Sequence, residues 1–183
     1  RDGAAPHLFL TGVMTLTAGL IHPTAVSAEV TEAAQAADVA EVVADVEGVV
    51  DGAVLVDTNT GFVANTTEGS VTIPDDAAGT IQIDGAGGDV SIGIPGGASA
   101  DAVLVDDDVV YNDVAKDTNI VAQATDEGGA QILITIDSAA APKTFDFPMA
   151  VPEGGQLVLN DDGSVLLVAN DGSALGGLAA LRI

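Results

Sequence analysis

Residues 131–137 read Gln-Ile-Leu-Ile-Thr-Ile-Asp, in which Ile132, Ile134 and Ile136 alternate with other residues. A period of two is typical of a β-strand, because successive side chains of a strand point to opposite faces of the sheet. We therefore predict that these three isoleucines share one buried face of a central strand. The same alternation recurs from residue 53 onwards, at Val71/Ile73, Ile81/Ile83, Val90/Ile92/Ile94, Phe145/Phe147 and Leu157/Leu159.

Turn-forming residues separate these alternating runs, and they recur at spacings of roughly 8–12 residues. The turn segments are Thr60-Gly61, Pro74-Asp75-Asp76, Asp84-Gly85, Pro95-Gly96-Gly97, Glu127-Gly128-Gly129, Asp161-Asp162-Gly163 and Asn170-Asp171-Gly172. Short strands joined by such turns predict a mainly β fold, an antiparallel sandwich or barrel, over residues 51–183. If this region has two subdomains, the boundary is expected near residues 96–100.

One helix is predicted ahead of the strands. The stretch from Thr31 to Glu47 is rich in Ala and Val, and Val39, Val42, Val43 and Val46 recur at the spacing of one helical face. We assign residues 29–50 to a helical spacer between an export signal and the β domain. The alternative is a helix that packs on the sheet as a lid.

The first residues have the order of features found in a secretory signal peptide. Leu8 to Ile21 is mainly apolar, Pro23 follows, and Val26-Ser27-Ala28 supplies small residues for a signal peptidase. The apolar run is shorter than the roughly 20 residues that span a bilayer. We predict that residues 1–28 form a signal peptide cleaved after Ala28, and that the protein is secreted to the extracellular space or cell surface.

Cleavage at Ala28 would remove both histidines, His7 and His22, from a chain that contains no cysteine. Residues 29–183 would then lack the groups needed for Ser-His-Asp, Cys-His or histidine general-base catalysis, and for a zinc site built from His and Cys. We expect the protein not to be an enzyme. We assign it no cofactor and no catalytic, cofactor-binding or metal-binding residue.

The charge balance limits the kind of partner. Lys and Arg number 4 and Asp and Glu number 28, which gives a formal net charge of −24. Such a charge repels nucleic acid phosphates and anionic lipid headgroups, so neither is expected as a partner. It favours cations or a basic protein instead. No apolar run after the signal is long enough for a membrane span.

Two alternative functions depend on the carboxylates. Residues 54–58, Val-Leu-Val-Asp-Thr, look like the entry to an aspartic-protease motif, but Asn59 stands where that motif has glycine. A strand that ends in a polar turn before Phe62 accounts for the same residues. A secreted hydrolase using carboxylates therefore stays as one alternative.

A calcium-dependent adhesion module is the other alternative. Calcium takes several oxygen ligands, often from turns. Three acidic segments could supply some of them, namely Asp106-Asp107-Asp108, Asn160-Asp161-Asp162 and Asp57-Thr58-Asn59. None of the three has the spacing of an EF-hand loop.

One part of the chain resembles a group of known sequences. The stretch from Asn119 to Ala169, above all Gln131-Ile-Leu-Ile-Thr-Ile-Asp-Ser-Ala-Ala-Ala-Pro-Lys-Thr-Phe-Asp-Phe and Val151-Pro-Glu-Gly-Gly-Gln-Leu-Val-Leu-Asn-Asp-Asp-Gly-Ser-Val, resembles a segment of uncharacterised secreted β-rich proteins from high-GC Gram-positive bacteria. The resemblance implies secretion and hairpins, and it implies no activity or site residue.

These observations favour a secreted, non-catalytic structural or interaction module. The hydrolase alternative predicts a deep pocket in which two acids with perturbed pKa values converge. A binding module predicts a shallow face or an open sheet edge.

Overall fold

The computed structural model describes residues 8–10, 32–46, 52–85, 88–96 and 98–179. These residues contain one helix and short strands throughout. In chain order the elements are β1 (Leu8–Leu10), α1 (Glu32–Ala44), β2 (Val56–Thr58), β3 (Gly61–Asn65), β4 (Gly69–Ile73), β5 (Thr80–Gly85), β6 (Val90–Gly93), β7 (Ala102–Val105), β8 (Asp108–Ala115), β9 (Thr118–Ala124), β10 (Ala130–Ile136), β11 (Phe145–Phe147), β12 (Met149–Ala150), β13 (Gln156–Leu159), β14 (Val165–Val168) and β15 (Ala174–Leu178).

Two antiparallel sheets dominate the fold. The larger has six strands in the order β12-β6-β5-β4-β3-β2, and the smaller has four in the order β10-β9-β8-β7. A three-stranded sheet, β13-β14-β15, follows, and β1 pairs with β11. Both main sheets end in strands with one neighbour, so the predicted sandwich, rather than the predicted barrel, is the observed form.

The main core lies between the two large sheets. Phe62, Val71 and Ile73 of the six-stranded sheet belong to one buried cluster with Tyr111 and Ile120 of the four-stranded sheet. The Tyr111 hydroxyl donates a hydrogen bond of 2.6 Å to the Pro74 carbonyl oxygen, which ties the two sheets together inside the core. Burial raises the pKa of Tyr111, and this keeps the phenol protonated as a donor.

The fully buried strand of the four-stranded sheet is β9, and it lies between β10 and β8; it is not the strand predicted from the isoleucine alternation. All seven residues of β9 are buried, whereas all seven residues of β10 are only half-buried. The prediction of a central strand at Ile132, Ile134 and Ile136 was therefore wrong, because β10 lies at the edge of its sheet. Ile132 and Ile134 do pack against the margin of the inter-sheet core.

Helix α1 covers the outer face of the four-stranded sheet. This is the arrangement of the alternative hypothesis, in which the helix packs on the sheet as a lid. Its buried residues are Ala36, Val39, Ala40 and Val43, and they pack on Val110 and Val121. Val39 and Val43 of the predicted face are therefore buried. The other two predicted residues, Val42 and Val46, are 59% and 48% exposed, because the buried face is completed by alanines.

The remaining predictions concern the signal peptide, its cleavage site and the candidate subdomain boundary. Of the predicted signal peptide, only Leu8–Leu10 lies among the described residues, where it pairs with Phe145–Phe147. Its remaining residues, the cleavage site and residues 29–31 lie outside them. Residues 96–100, the candidate boundary, fall between β6 of the first sheet and β7 of the second.

Candidate functional site

The most distinctive surface feature is the outer edge of β10. Hydrogen bonds from Thr125 N to Gly129 O (2.9 Å) and from Asp137 N to Asp117 O (3.0 Å) flank the β9–β10 ladder. In an antiparallel pair, hydrogen-bonded and non-hydrogen-bonded residues alternate. Leu133 and Thr135 therefore bond to β9, and the backbone N–H and C=O groups of Ile132, Ile134 and Ile136 point away from β9 along the edge.

The other three edges of the main sheets are short or interrupted. Strands β2, β12 and β7 have three, two and four residues, whereas β10 has seven. Acidic residues directly flank β7, and Pro148 precedes β12. Short length, charge and proline are features that protect sheet edges from pairing with other chains. The seven residues of β10 contain no charge and no proline.

One face of β10 is apolar, the face towards α1 mixes Leu133 with Gln131 and Thr135, and the two ends of the strand are flanked by acidic residues. Ile132 and Ile134 pack against the inter-sheet core, and Leu133 packs against the cluster under α1. Asp126 and Glu127 lie exposed in the turn before β10, and the exposed Asp137 follows it directly. The strand is therefore uncharged along its length and has negative charge at both ends.

A cavity opens beside the C-terminal end of β10, between this strand and α1. It has a volume of about 240 Å³ and is lined by Gln35, Asp38, Val39, Val42, Asn119, Thr135 and Asp137. Asp38, Val42 and Asp137 are exposed, whereas Asn119 is buried. We call this feature the helix–edge cavity. Two carboxylates lie at its opening, beside apolar valine side chains.

The buried amide of Asn119 organises the floor of the helix–edge cavity. Its Nδ2 atom donates to Thr135 Oγ1 at 3.3 Å and to Asp137 Oδ2 at 3.2 Å. Its Oδ1 atom accepts a hydrogen bond of 3.0 Å from the backbone N–H of Asp113. Asp113 has a φ of 52°, and the β8–β9 register shifts between Tyr111 and Ala115, so Asn119 also satisfies the irregular backbone of β8.

The acidic segments considered as calcium ligands have other contacts. Asp162 accepts hydrogen bonds from the hydroxyl and the backbone N–H of Ser164, and these bonds lower the pKa of its carboxyl. Asp171, outside the three segments, accepts the same two bonds from Ser173, and its pKa is lowered for the same reason. Asp107 accepts a hydrogen bond of 3.3 Å from Leu55 N. No group of three or more acidic or histidine side chains within the described ranges is placed to hold a metal ion.

The segment compared with the aspartic-protease motif is a strand followed by a turn, as the simpler interpretation predicted. Val56–Thr58 forms β2, and β3 starts at Gly61. The Thr58 hydroxyl donates a hydrogen bond of 2.6 Å to the Gly61 carbonyl oxygen across this turn. Phe62 follows in the core, so these residues serve a hairpin.

Asp108, the first residue of β8, has a raised pKa. The main cause is burial, and the neighbouring negative charges of Asp106 and Asp107 act in the same direction. A hydrogen bond from Gln123 Nε2 to Asp108 Oδ1 opposes the rise. The other amide atom, Gln123 Oε1, is buried and has no hydrogen-bond partner among the described residues. Asp108 is not among the residues that line the helix–edge cavity.

Replacing Asp108 by Asn is expected to stabilise the fold at neutral pH. A carboxyl whose pKa is raised by folding costs stability above its folded pKa, and this cost disappears as the pH falls towards the ordinary value of 3.8. The gain from Asp108→Asn should therefore shrink as the pH is lowered, which thermal melts over a pH series would measure. Asp101→Asn, at an exposed position before β7, controls for general relief of negative charge, and an equal gain there would contradict the expectation.

Comparison of the chain with known proteins returns no match to a protein family model, to a characterised protein or to a solved structure. Among the described residues, no helix has the length and apolar character needed to cross a membrane. The candidate site therefore depends on the geometry of β10 and the helix–edge cavity.

The sequence assigned no site residue, and it missed both parts of this surface. One signal was present for the cavity: Asn119 directly precedes the mainly apolar run from Ile120 to Ala124. A buried amide beside such a run usually has a specific hydrogen-bonding task. The position of β10 at an edge had no comparable signal.

Proposed function

We propose that this chain is a secreted, non-catalytic interaction module that binds an extended segment of a basic partner protein by adding it as a strand to β10. The observation that carries the proposal is the seven-residue, uncharged edge of β10. Strand addition uses the main-chain groups of an open edge for affinity and the neighbouring side chains for specificity.

The charge of the chain supports a basic partner. With 28 acidic residues and 4 basic ones, it would attract a cationic segment over long range and repel a second copy of itself. The acidic ends of β10 then favour basic residues at both ends of the added strand. Between those ends, β-branched residues would pair well with the isoleucines of β10.

Secretion is the second component of the proposal. It is supported by the apolar stretch from Leu8 to Ile21 and the small residues at Val26-Ser27-Ala28. On this proposal β1 is removed with the signal peptide, and the β-sandwich with α1 forms the mature module.

The test uses a probe peptide of alternating valine and threonine with one lysine at each end. We expect titration of the isotope-labelled chain with this peptide to shift the backbone amide NMR signals of Ile132, Ile134 and Ile136 most strongly. The signals of β7, the opposite edge of the same sheet, serve as the internal control. Absence of a shift on β10, or larger shifts on β7, would contradict the proposal.

A further inference from the structure

We propose that the helix–edge cavity is a specificity pocket for one lysine or arginine side chain of the strand added to β10. The inference rests on the proposed function, because the added strand is what would bring the basic side chain to the cavity. Beyond the proposed function, it assigns the position of the partner strand that carries the positive charge and the residues of this chain that recognise that charge.

The direction of the side chains places the cavity within reach of the added strand. Thr135 lines the cavity on the α1 side of β10, and its cross-strand neighbour Asn119 lines it as well. Side chains of directly opposed residues in paired strands lie on the same face, with Cβ atoms about 4.5–5.5 Å apart. The partner residue opposite Thr135 would therefore direct its side chain towards α1 and the cavity.

The lining suits the two parts of a basic side chain. Val39 and Val42 offer apolar contact for an aliphatic stem, and Val42 is 59% exposed although it faces this opening. Asp38 and Asp137 supply negative charge at the rim for the head group. Long basic side chains commonly bury the stem on apolar surface and keep the charge at the edge of water.

The hydrogen bonds of Asn119 prepare one carboxylate for this role. Asn119 Nδ2 holds Asp137 Oδ2 at 3.2 Å, and Asn119 is itself only 2% exposed. The position of the Asp137 carboxylate is thus set from within the fold. A carboxylate oriented before binding loses less conformational freedom when it pairs with a cation.

The experiment compares two versions of the valine–threonine probe peptide. In one, the threonine opposite Thr135 is replaced by lysine, and in the other by norleucine, which has a similar aliphatic chain but no charge. Both keep the lysines at the ends. We expect the chain to bind the lysine version about two- to fivefold more tightly, the upper part of the range for ion pairs at an exposed site.

Variants of the chain then assign the preference to the cavity. Asp38→Asn is expected to reduce the preference for lysine over norleucine to less than about twofold, because one of the two rim carboxylates then carries no charge. Asp101→Asn removes an exposed charge just before β7, at the opposite edge of the sheet. This control should retain the full preference for lysine.

The outcomes separate this inference from the proposed function. Equal affinity for the two peptides, with both shifting the β10 amides, would overturn the specificity pocket and leave strand addition intact. A lysine preference that survives in Asp38→Asn and in Asp137→Asn would also overturn the pocket. Failure of both peptides to perturb β10 would overturn strand addition, and the pocket with it.

Discussion

Replacing Ile120 by Ala is expected to lower the free energy of unfolding by about 2–5 kcal/mol, the range for a large aliphatic side chain deleted from a closed core. Ile120 belongs to β9 and is fully buried in the core between the two large sheets. Its neighbours on the opposite sheet cannot follow the shortened side chain without disturbing their own packing. Urea denaturation of the purified chain would measure the loss.

The matched control is Ile134→Ala, because Ile134 lies directly opposite Ile120 in the β9–β10 ladder. Ile134 is half-buried at the sheet edge, where water can reach the space that the substitution leaves. We expect a loss of about 1–2 kcal/mol, clearly below that of Ile120→Ala. Equal losses at the two positions would mean that β10 is as enclosed as β9, and would contradict the edge assignment.

Replacing Ile134 by Pro is expected to weaken binding of the probe peptide roughly five- to a hundredfold. The N–H of Ile134 points away from β9, so proline removes a donor that none of the described residues accepts. The added strand would then leave an acceptor unpaired, at a cost of about 1–3 kcal/mol. The binding constant of the variant, measured by calorimetric titration, gives the effect directly.

Ile134→Ala again provides the comparison, because it loses the same side chain and keeps the N–H group. We expect Ile134→Ala to bind the probe peptide within about threefold of the unchanged chain, since the backbone groups carry most of the affinity. If alanine and proline weaken binding equally, the side chain rather than the edge hydrogen bond is responsible. That result would argue against strand addition.

The architecture was largely predictable because it depends on local patterns. Alternation of apolar residues predicted strands such as Val71/Ile73 and Ile81/Ile83. All four side chains contact the main core, and Ile83 is the one that is only partly buried. Turn residues predicted the hairpins, including the one that separates Thr58 from Gly61. Both signals act within a few residues of the chain, so they can be recognised without tertiary information.

The order of strands in the sheets could not be predicted in this way. The isoleucines of β10 recur at every second residue, as in a buried strand, and the same pattern suits an edge strand that contacts an apolar cluster on each of its faces. In α1, Ala36 and Ala40 complete the buried face in place of Val42 and Val46. Both outcomes depend on which elements become neighbours in space.

The helix–edge cavity is a tertiary feature for the same reason. Asp38 belongs to α1, Asn119 to β9 and Thr135 to β10, and nothing in their spacing along the sequence brings them together. The excess of acidic residues also hid the relevant carboxylates, since Asp38 and Asp137 have no local feature that distinguishes them from the other acids. Only their position around one cavity distinguishes them.

Amide hydrogen exchange measured by NMR tests most directly whether the outer edge of β10 is open. In the free chain we expect the amides of Leu133 and Thr135 to be protected and those of Ile132, Ile134 and Ile136 to exchange rapidly. Addition of the probe peptide should then protect these three isoleucine amides. Protection of all three in the free chain, or exchange that stays rapid in the presence of saturating peptide, would contradict the account.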